Sequence, residues 1–186
     1  CSYCPAPVFD ENGHKIEGGI HDNFSPHLTL DEFKHCLNLL EPHLPENRRI
    51  FITGGEPTIN PNLTDLVDHA KSKNYEIHIS TNGTASPKKL KELLNRGCKL
   101  EVSFHIEFTT MKIVERIAAL LPAFKDLLVV KVMAFEDNEF ASEVRKRMPK
   151  DVEIFYYPIY GRDLEHTYYK DDAEKEELIT EWLNKK

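Results

Sequence analysis

The chain has 186 residues, with 24 Lys and Arg against 31 Asp and Glu, a net charge of -7, and 40% hydrophobic residues. That apolar fraction excludes a disordered chain, and no stretch is apolar for long enough to span a membrane. The acidic balance argues against a broad phosphate-neutralising surface for nucleic acid. No signal-type apolar run opens the sequence, so the expected compartment is the cytoplasm. The cysteines, Cys1, Cys4, Cys36 and Cys98, are too few and too unevenly spaced for a secreted disulfide framework, which fits a reducing compartment. The chain begins at Cys1 without an initiator Met, and reads as processed or incomplete.

Pro5 to His27 holds three Gly and three His without steady periodicity, and is expected to be a long loop that could act as a cover. Beyond it, β-branched runs alternate with amphipathic segments. The first helix has a capping box in Thr29 and Glu32, with Leu28 and Phe33 as the staple across it. Its apolar stripe runs Phe33, Cys36, Leu37, Leu40, which makes Cys36 a core thiol. A strand over Arg49 to Thr53 ends in Gly54-Gly55. Asn60 and Pro61 are expected to start a second helix that buries Leu63, Leu66, Val67 and Ala70.

The strand Tyr75 to Ser80 leads to a helix that opens at Ser86-Pro87 and stops at Gly97. Lys99 to His105 is the next strand, followed by a helix carrying Ile113, Val114, Ile117 and Leu121. Leu127 to Met133 is an apolar strand, a helix follows around Phe140 and Val144, and Val152 to Tyr157 is the last strand. A final helix is expected over Glu174 to Asn184. Five strands alternating with helices imply an α/β fold with right-handed crossovers and a parallel sheet, open or partly closed into a barrel. Residues 1–170 read as one core and 171–186 as a helical extension. Sites in such folds collect at the carboxyl ends of the strands.

Four segments there could carry chemistry. Cys1-Ser2-Tyr3-Cys4 spaces two thiols so that they could share a zinc ion, an iron–sulfur cluster, or a disulfide. Thr53-Gly54-Gly55-Glu56-Pro57 gives a ligand close access to backbone groups, with a carboxylate beside them; a tight strand-to-helix turn is the structural alternative. Ser80-Thr81-Asn82-Gly83 offers short hydrogen-bonding side chains and is also an ordinary turn signal. Ser103 and His105 share one face at the next strand end, with Glu101 read as solvated on that face. Cys98 is expected to be structural, His35, His43 and His69 to be solvated, and Tyr156, Tyr157 and Tyr160 to be core aromatics. Arg162 and Asp163 read either as a surface ion pair or as substrate contacts.

In this order the segments resemble the radical S-adenosylmethionine (SAM) superfamily. Its mark is Cys-x-x-x-Cys-x-aromatic-Cys, and Cys1 to Cys4 looks like the last four residues of that motif. Thr53 to Pro57 is similar to the family's Gly-Gly-Glu-Pro segment, and Ser80 to Gly83 to its ribose-binding strand end. The resemblance implies a partial (β/α)6 TIM-like barrel whose first strand is missing from this chain. It implies a [4Fe–4S] cluster held by Cys1, Cys4 and a third cysteine upstream, so that the chain is a fragment starting at the second ligand. It implies SAM contacts from Tyr3, Gly54, Gly55, Glu56, Pro57, Ser80, Asn82, Ser103 and His105. An electron donor such as flavodoxin or ferredoxin and a small-molecule or peptide substrate follow as expectations. The other readings are a SAM- or nucleotide-binding barrel without a complete cluster, and a thiol-redox or zinc protein.

Overall fold

A computed structural model describes residues 8–9, 15–16, 27–43, 48–134 and 138–157. His21–Tyr157 forms one compact unit, and Cys1–Ile20 with Pro158–Lys186 forms another. In the second unit β1 (Val8–Phe9) pairs antiparallel with β2 (Lys15–Ile16), a short ladder inside the segment expected to be loop throughout. The Glu174 to Asn184 helix, Tyr160, Arg162 and Asp163 lie outside the described residues.

The larger unit is built on one open sheet of five parallel strands in sequential order. They are β3 (Arg49–Ile52), β4 (Glu76–Thr81), β5 (Lys99–His105), β6 (Leu128–Met133) and β7 (Ile154–Tyr156). The connecting helices are α1 (Leu30–Leu40), ahead of β3, then α2 (Leu63–Ser72), α3 (Pro87–Asn95), α4 (Met111–Ala118), the short α5 (Leu121–Phe124) and α6 (Glu139–Arg147). This is the α/β fold with parallel strands that the alternation implied. No helix among the described residues is long and apolar enough to cross a membrane.

The period of two decides what each face does. Ile77 and Ile79 of β4, Leu100, Val102 and Phe104 of β5, and Val130 and Val132 of β6 are fully buried in one cluster with the helices' Leu66, Val67, Leu90, Leu93, Val114, Ile117 and Val144. Burying each such side chain is worth about 1.5–3 kcal/mol relative to leaving it exposed. The alternate residues form the opposite face: His78 and Ser80 on β4 and Glu101, Ser103 and His105 on β5 are polar, β6 sets Lys131 between Val129 and Met133, and the outer strands add Phe51 and Phe155.

The caps follow the sequence closely at α1 and α3. Thr29 and Glu32 make the full reciprocal box, and Ser86 Oγ accepts from the Lys89 N–H. Three expectations are corrected. Pro57–Ile59 takes a 3-10 turn whose C-cap is Asn60, and α2 starts two residues later than expected, at Leu63 with Asn62 as N-cap. The Asn60 side chain instead accepts from the Asn62 N–H and donates to the Leu28 carbonyl, so its hydrogen-bonding capacity goes to the turn. Only Phe33 and Leu37 of the α1 stripe are buried; Cys36 is an exposed thiol rather than a core one, because this first helix packs along a narrow line against α2, with Phe33 edge-on to His69. The helix pattern through Leu121 breaks at Ala118, and Leu121 opens the separate turn of α5 with Pro122 near its start.

Gly83 follows β4 with φ +73, and a Cβ there would sit 3.0 Å from Val102 Cγ1 and 3.4 Å from Ile113 Cγ2. Gly83→Ala is therefore expected to cost about 1–3 kcal/mol, read as a lowered urea midpoint with an unchanged slope. A wild-type midpoint would mean that this turn relaxes freely.

Candidate functional site

The carboxyl ends of β3, β4 and β5 lie side by side, so three of the four segments singled out in the sequence share one rim. The fourth, Cys1 to Cys4 with Tyr3, lies outside the described residues.

At the end of β3, Gly54 has φ +136, a backbone conformation that L side chains rarely adopt. A Cβ there would meet nothing within 4 Å, so the glycine is required by the chain's turn, and it leaves open space beside the backbone. Gly54 and Gly55 are both exposed. Pro57 fixes the first residue of the 3-10 turn.

Glu56 is the tie between two strand ends. Its Oε1 accepts from the Thr58 N–H at 3.1 Å, the Thr58 hydroxyl at 2.5 Å and the Thr81 hydroxyl at 2.8 Å. Its Oε2 accepts from the Asn82 N–H at 2.7 Å. The Thr81 hydroxyl accepts in turn from the Gly83 N–H at 3.1 Å. Both oxygens of the carboxylate that the sequence sets beside the exposed glycines thus accept hydrogen bonds from the β3 and β4 ends. Thr58 and Thr81 were not singled out for this. The available signal was a carboxylate two residues before Thr58, the spacing of an Asx-like cap on the following turn.

The β4 end presents Ser80 and Asn82. Asn82 Oδ1 accepts from the Thr84 N–H at 2.9 Å and the Thr84 hydroxyl at 2.6 Å, which fixes the turn after the strand. From behind, Arg116 of α4 donates to the Gly83 carbonyl at 2.8 Å. On β5, Ser103 and His105 share the open face. The His105 N–H donates to the Thr109 hydroxyl at 2.8 Å, and burial pushes the imidazole pKa down. Its neutral form, a donor and an acceptor together, is therefore favoured.

The amino-terminal end of the open face is occupied by charge. Glu76 receives Lys99 Nζ at 2.6 Å, Arg49 Nε at 3.0 Å and His78 Nε2 at 3.0 Å, while the Phe51 ring lies 4.7 Å from that of His78. Hydrogen bonds from Lys99, then His78 and Arg49, hold the Glu76 carboxyl at about 2. Further along, Glu101 is not solvated as expected: its Oε2 pairs with Lys131 Nζ at 2.5 Å. Among the other side groups, Cys98 is buried as expected, with burial pushing its thiol up to about 11. His35 and His43 are exposed, whereas His69 is half-buried with Nε2 covered. Tyr156, at the end of the edge strand β7, is half-buried and packs against the core, and Tyr157 just beyond it is half-buried.

Comparison with known proteins agrees with this geometry. The sequence model of the radical SAM superfamily matches residues 1–120. The chain belongs to that superfamily. It is also 41% identical over 75 residues to the tungsten-containing aldehyde ferredoxin oxidoreductase cofactor-modifying protein of Pyrococcus furiosus. That match covers 39% of this chain and 21% of the relative's length.

Two outcomes test the site's construction. Glu56→Ala should cost about 2–4 kcal/mol by leaving the Thr81 and Asn82 donors without their acceptor, and Glu56→Gln should not restore it, since Gln sets an NH2 against those donors. Wild-type denaturation of either variant would contradict the tie. For Glu76 the folded pKa is depressed from 4.5, so its contribution is present above pH 4.5 and lost as pH falls toward about 2. Glu76→Gln should flatten that acid limb of the stability curve; an unchanged limb would contradict the ion cluster.

Proposed function

We propose that the protein is a radical SAM enzyme that uses a [4Fe–4S] cluster and SAM to abstract hydrogen from a small-molecule or peptide substrate. The observation that carries this reading is the shared rim: open backbone at Gly54 and Gly55, Ser80 and Asn82, then Ser103 and His105, on adjacent parallel strands. The described residues fit SAM in kind. The amino-acid end of SAM needs close backbone approach, and the open space beside Gly54 supplies it. The ribose needs short hydroxyl and amide groups, and Ser80, Asn82 and Ser103 are of that type.

In this reading Cys1 and Cys4 are cluster ligands, Tyr3 packs near the adenine, and a third thiolate comes from a residue upstream. When bound, the cluster and SAM would supply one-electron reductive cleavage of the sulfonium carbon–sulfur bond, with methionine as the leaving group, and hydrogen-abstracting chemistry at the 5′-carbon. The chain's own residues bind, orient and exclude water. Gly54 and Gly55 receive the methionine end through their backbone, with Pro57 holding the turn. Glu56 acts by fixing the β3 and β4 ends together, so that the methionine and ribose contacts keep one spacing. Ser103 and a neutral His105 offer further hydrogen bonds to the ribose or carboxylate. A flavodoxin or ferredoxin supplies the electron. The name of the Pyrococcus furiosus relative, a cofactor-modifying protein, favours a cofactor precursor as one class of small-molecule substrate.

The test is anaerobic reconstitution with iron, sulfide and SAM on a chain extended upstream by its gene. The expected result is about four irons per chain and release of 5′-deoxyadenosine on adding dithionite. SAM binding without iron would favour a non-catalytic SAM-binding barrel, and a single zinc with no SAM binding would favour a zinc protein. Cys4→Ala should abolish the cluster's visible absorbance and leave far-ultraviolet dichroism unchanged; a full cluster in that variant would overturn the ligand assignment. Gly55→Val, at a glycine without a positive φ, should weaken SAM binding at least tenfold by crowding the methionine end, measured by titration calorimetry, and unchanged affinity would mean the glycines serve only the turn.

A further inference from the structure

Lys131 is the one charge in the apolar run Leu127 to Met133, in the middle of β6 between the fully buried Val130 and Val132. Its neighbours across the sheet are Ser103 on β5 and Phe155 on β7. The ammonium lies 2.5 Å from Glu101 Oε2 and 5.6 Å from the centroid of the Tyr157 ring. Its side chain is 25% exposed and that of Glu101 22%. Among the described residues Glu101 is the hydrogen-bond acceptor of Nζ, and an ammonium has three donors, so two remain for a ligand.

A charged pair on an open face can simply be solvated, and such a pair is worth little. Two features of this face argue for an occupant. Large aromatic rings are exposed on it, Phe51 at 59% and Phe155 at 39%, although water is a poor partner for both. Its strands also carry three cations, Arg49, Lys99 and Lys131, against the carboxylates of Glu76 and Glu101, in a chain whose net charge is -7. Lys99 and Arg49 already converge on Glu76. That surplus lies at Glu76, whereas Lys131 is balanced by Glu101 alone and offers its two remaining donors beside Phe155 and one strand from Ser103.

We propose that Lys131 is an oxyanion subsite for the substrate, with Glu101 orienting its ammonium and Phe155 lying against the substrate's apolar body. The substrate is then a small acid, carrying a carboxylate or a phosphate on an apolar or aromatic frame. This inference rests on the radical SAM reading for the identity of that substrate, since the subsite neighbours Ser103 of the proposed SAM contacts.

The experiment is calorimetric titration of the reconstituted protein, first with SAM and then with phenyl phosphate. Wild type should bind phenyl phosphate more tightly than inorganic phosphate. Lys131→Gln should weaken phenyl phosphate at least tenfold and leave SAM affinity unchanged. The paired exchange Glu101→Lys with Lys131→Glu keeps the ion pair, and so the fold, while moving the cation to β5; it should also weaken phenyl phosphate. Equal affinity in wild type, Lys131→Gln and the exchanged pair would overturn the subsite, as would absence of phenyl phosphate binding to wild type. A loss of SAM affinity in Lys131→Gln matching the loss of phenyl phosphate would assign the cation to SAM's own carboxylate and overturn it too. Failure of wild type to bind SAM would instead defeat the radical SAM reading, while the phenyl phosphate arm still decides whether the anion site exists.

Discussion

Parallel strands joined in sequential order put every crossover helix on the same side of the sheet and every strand's carboxyl end along the same edge. The rest of this molecule depends on that constraint. Because the helices consume one face, Ile77, Ile79, Leu100, Val102, Phe104, Val130 and Val132 must all be apolar, and the alternate positions are released from packing. Those positions carry the polar groups Ser80, Glu101, Ser103, His105 and Lys131. One alternation thus separates the packed apolar face from the face that holds the charged and hydroxyl side chains.

The rim is held rigid by means other than core packing. A strand end whose backbone is exposed, as at residues 53–55, takes its geometry from polar ties. Glu56 supplies them across the gap from β3 to β4, and Arg116 anchors the Gly83 carbonyl from the helix side. Gly83 presses onto Val102, which fastens the turn to the core, whereas Gly54 faces open space. The two glycines are alike in sequence context and opposite in purpose.

Much of the fold was legible because its signals are local. The period of two at Tyr75 to Ser80 and Lys99 to His105, the Thr29 and Glu32 box, and the Ser86-Pro87 start each need only neighbours in sequence. The α2 start was misplaced because Asn60-Pro61 satisfies a helix signature while its side chain is used by the turn before it. Cys36 was misassigned because helical spacing gives the stripe's direction but not its width. At the site, the motifs Thr53 to Pro57 and Ser80 to Gly83 were readable, yet the Glu56 to Thr81 tie was not, since it joins residues 25 apart. Lys131 was overlooked although a single charge in an apolar strand is itself a signal; its partner Glu101 lies on the neighbouring strand, which only the register reveals.

The central claim is that the open rim of β3, β4 and β5 receives SAM. Hydrogen–deuterium exchange on the reconstituted protein, with and without SAM, tests it most directly. The account predicts slower exchange at residues 53–57, 80–84 and 103–105, with no change in α3 or α6 on the helical side. Protection confined to the helices, or none on the rim despite measured SAM binding, would contradict it.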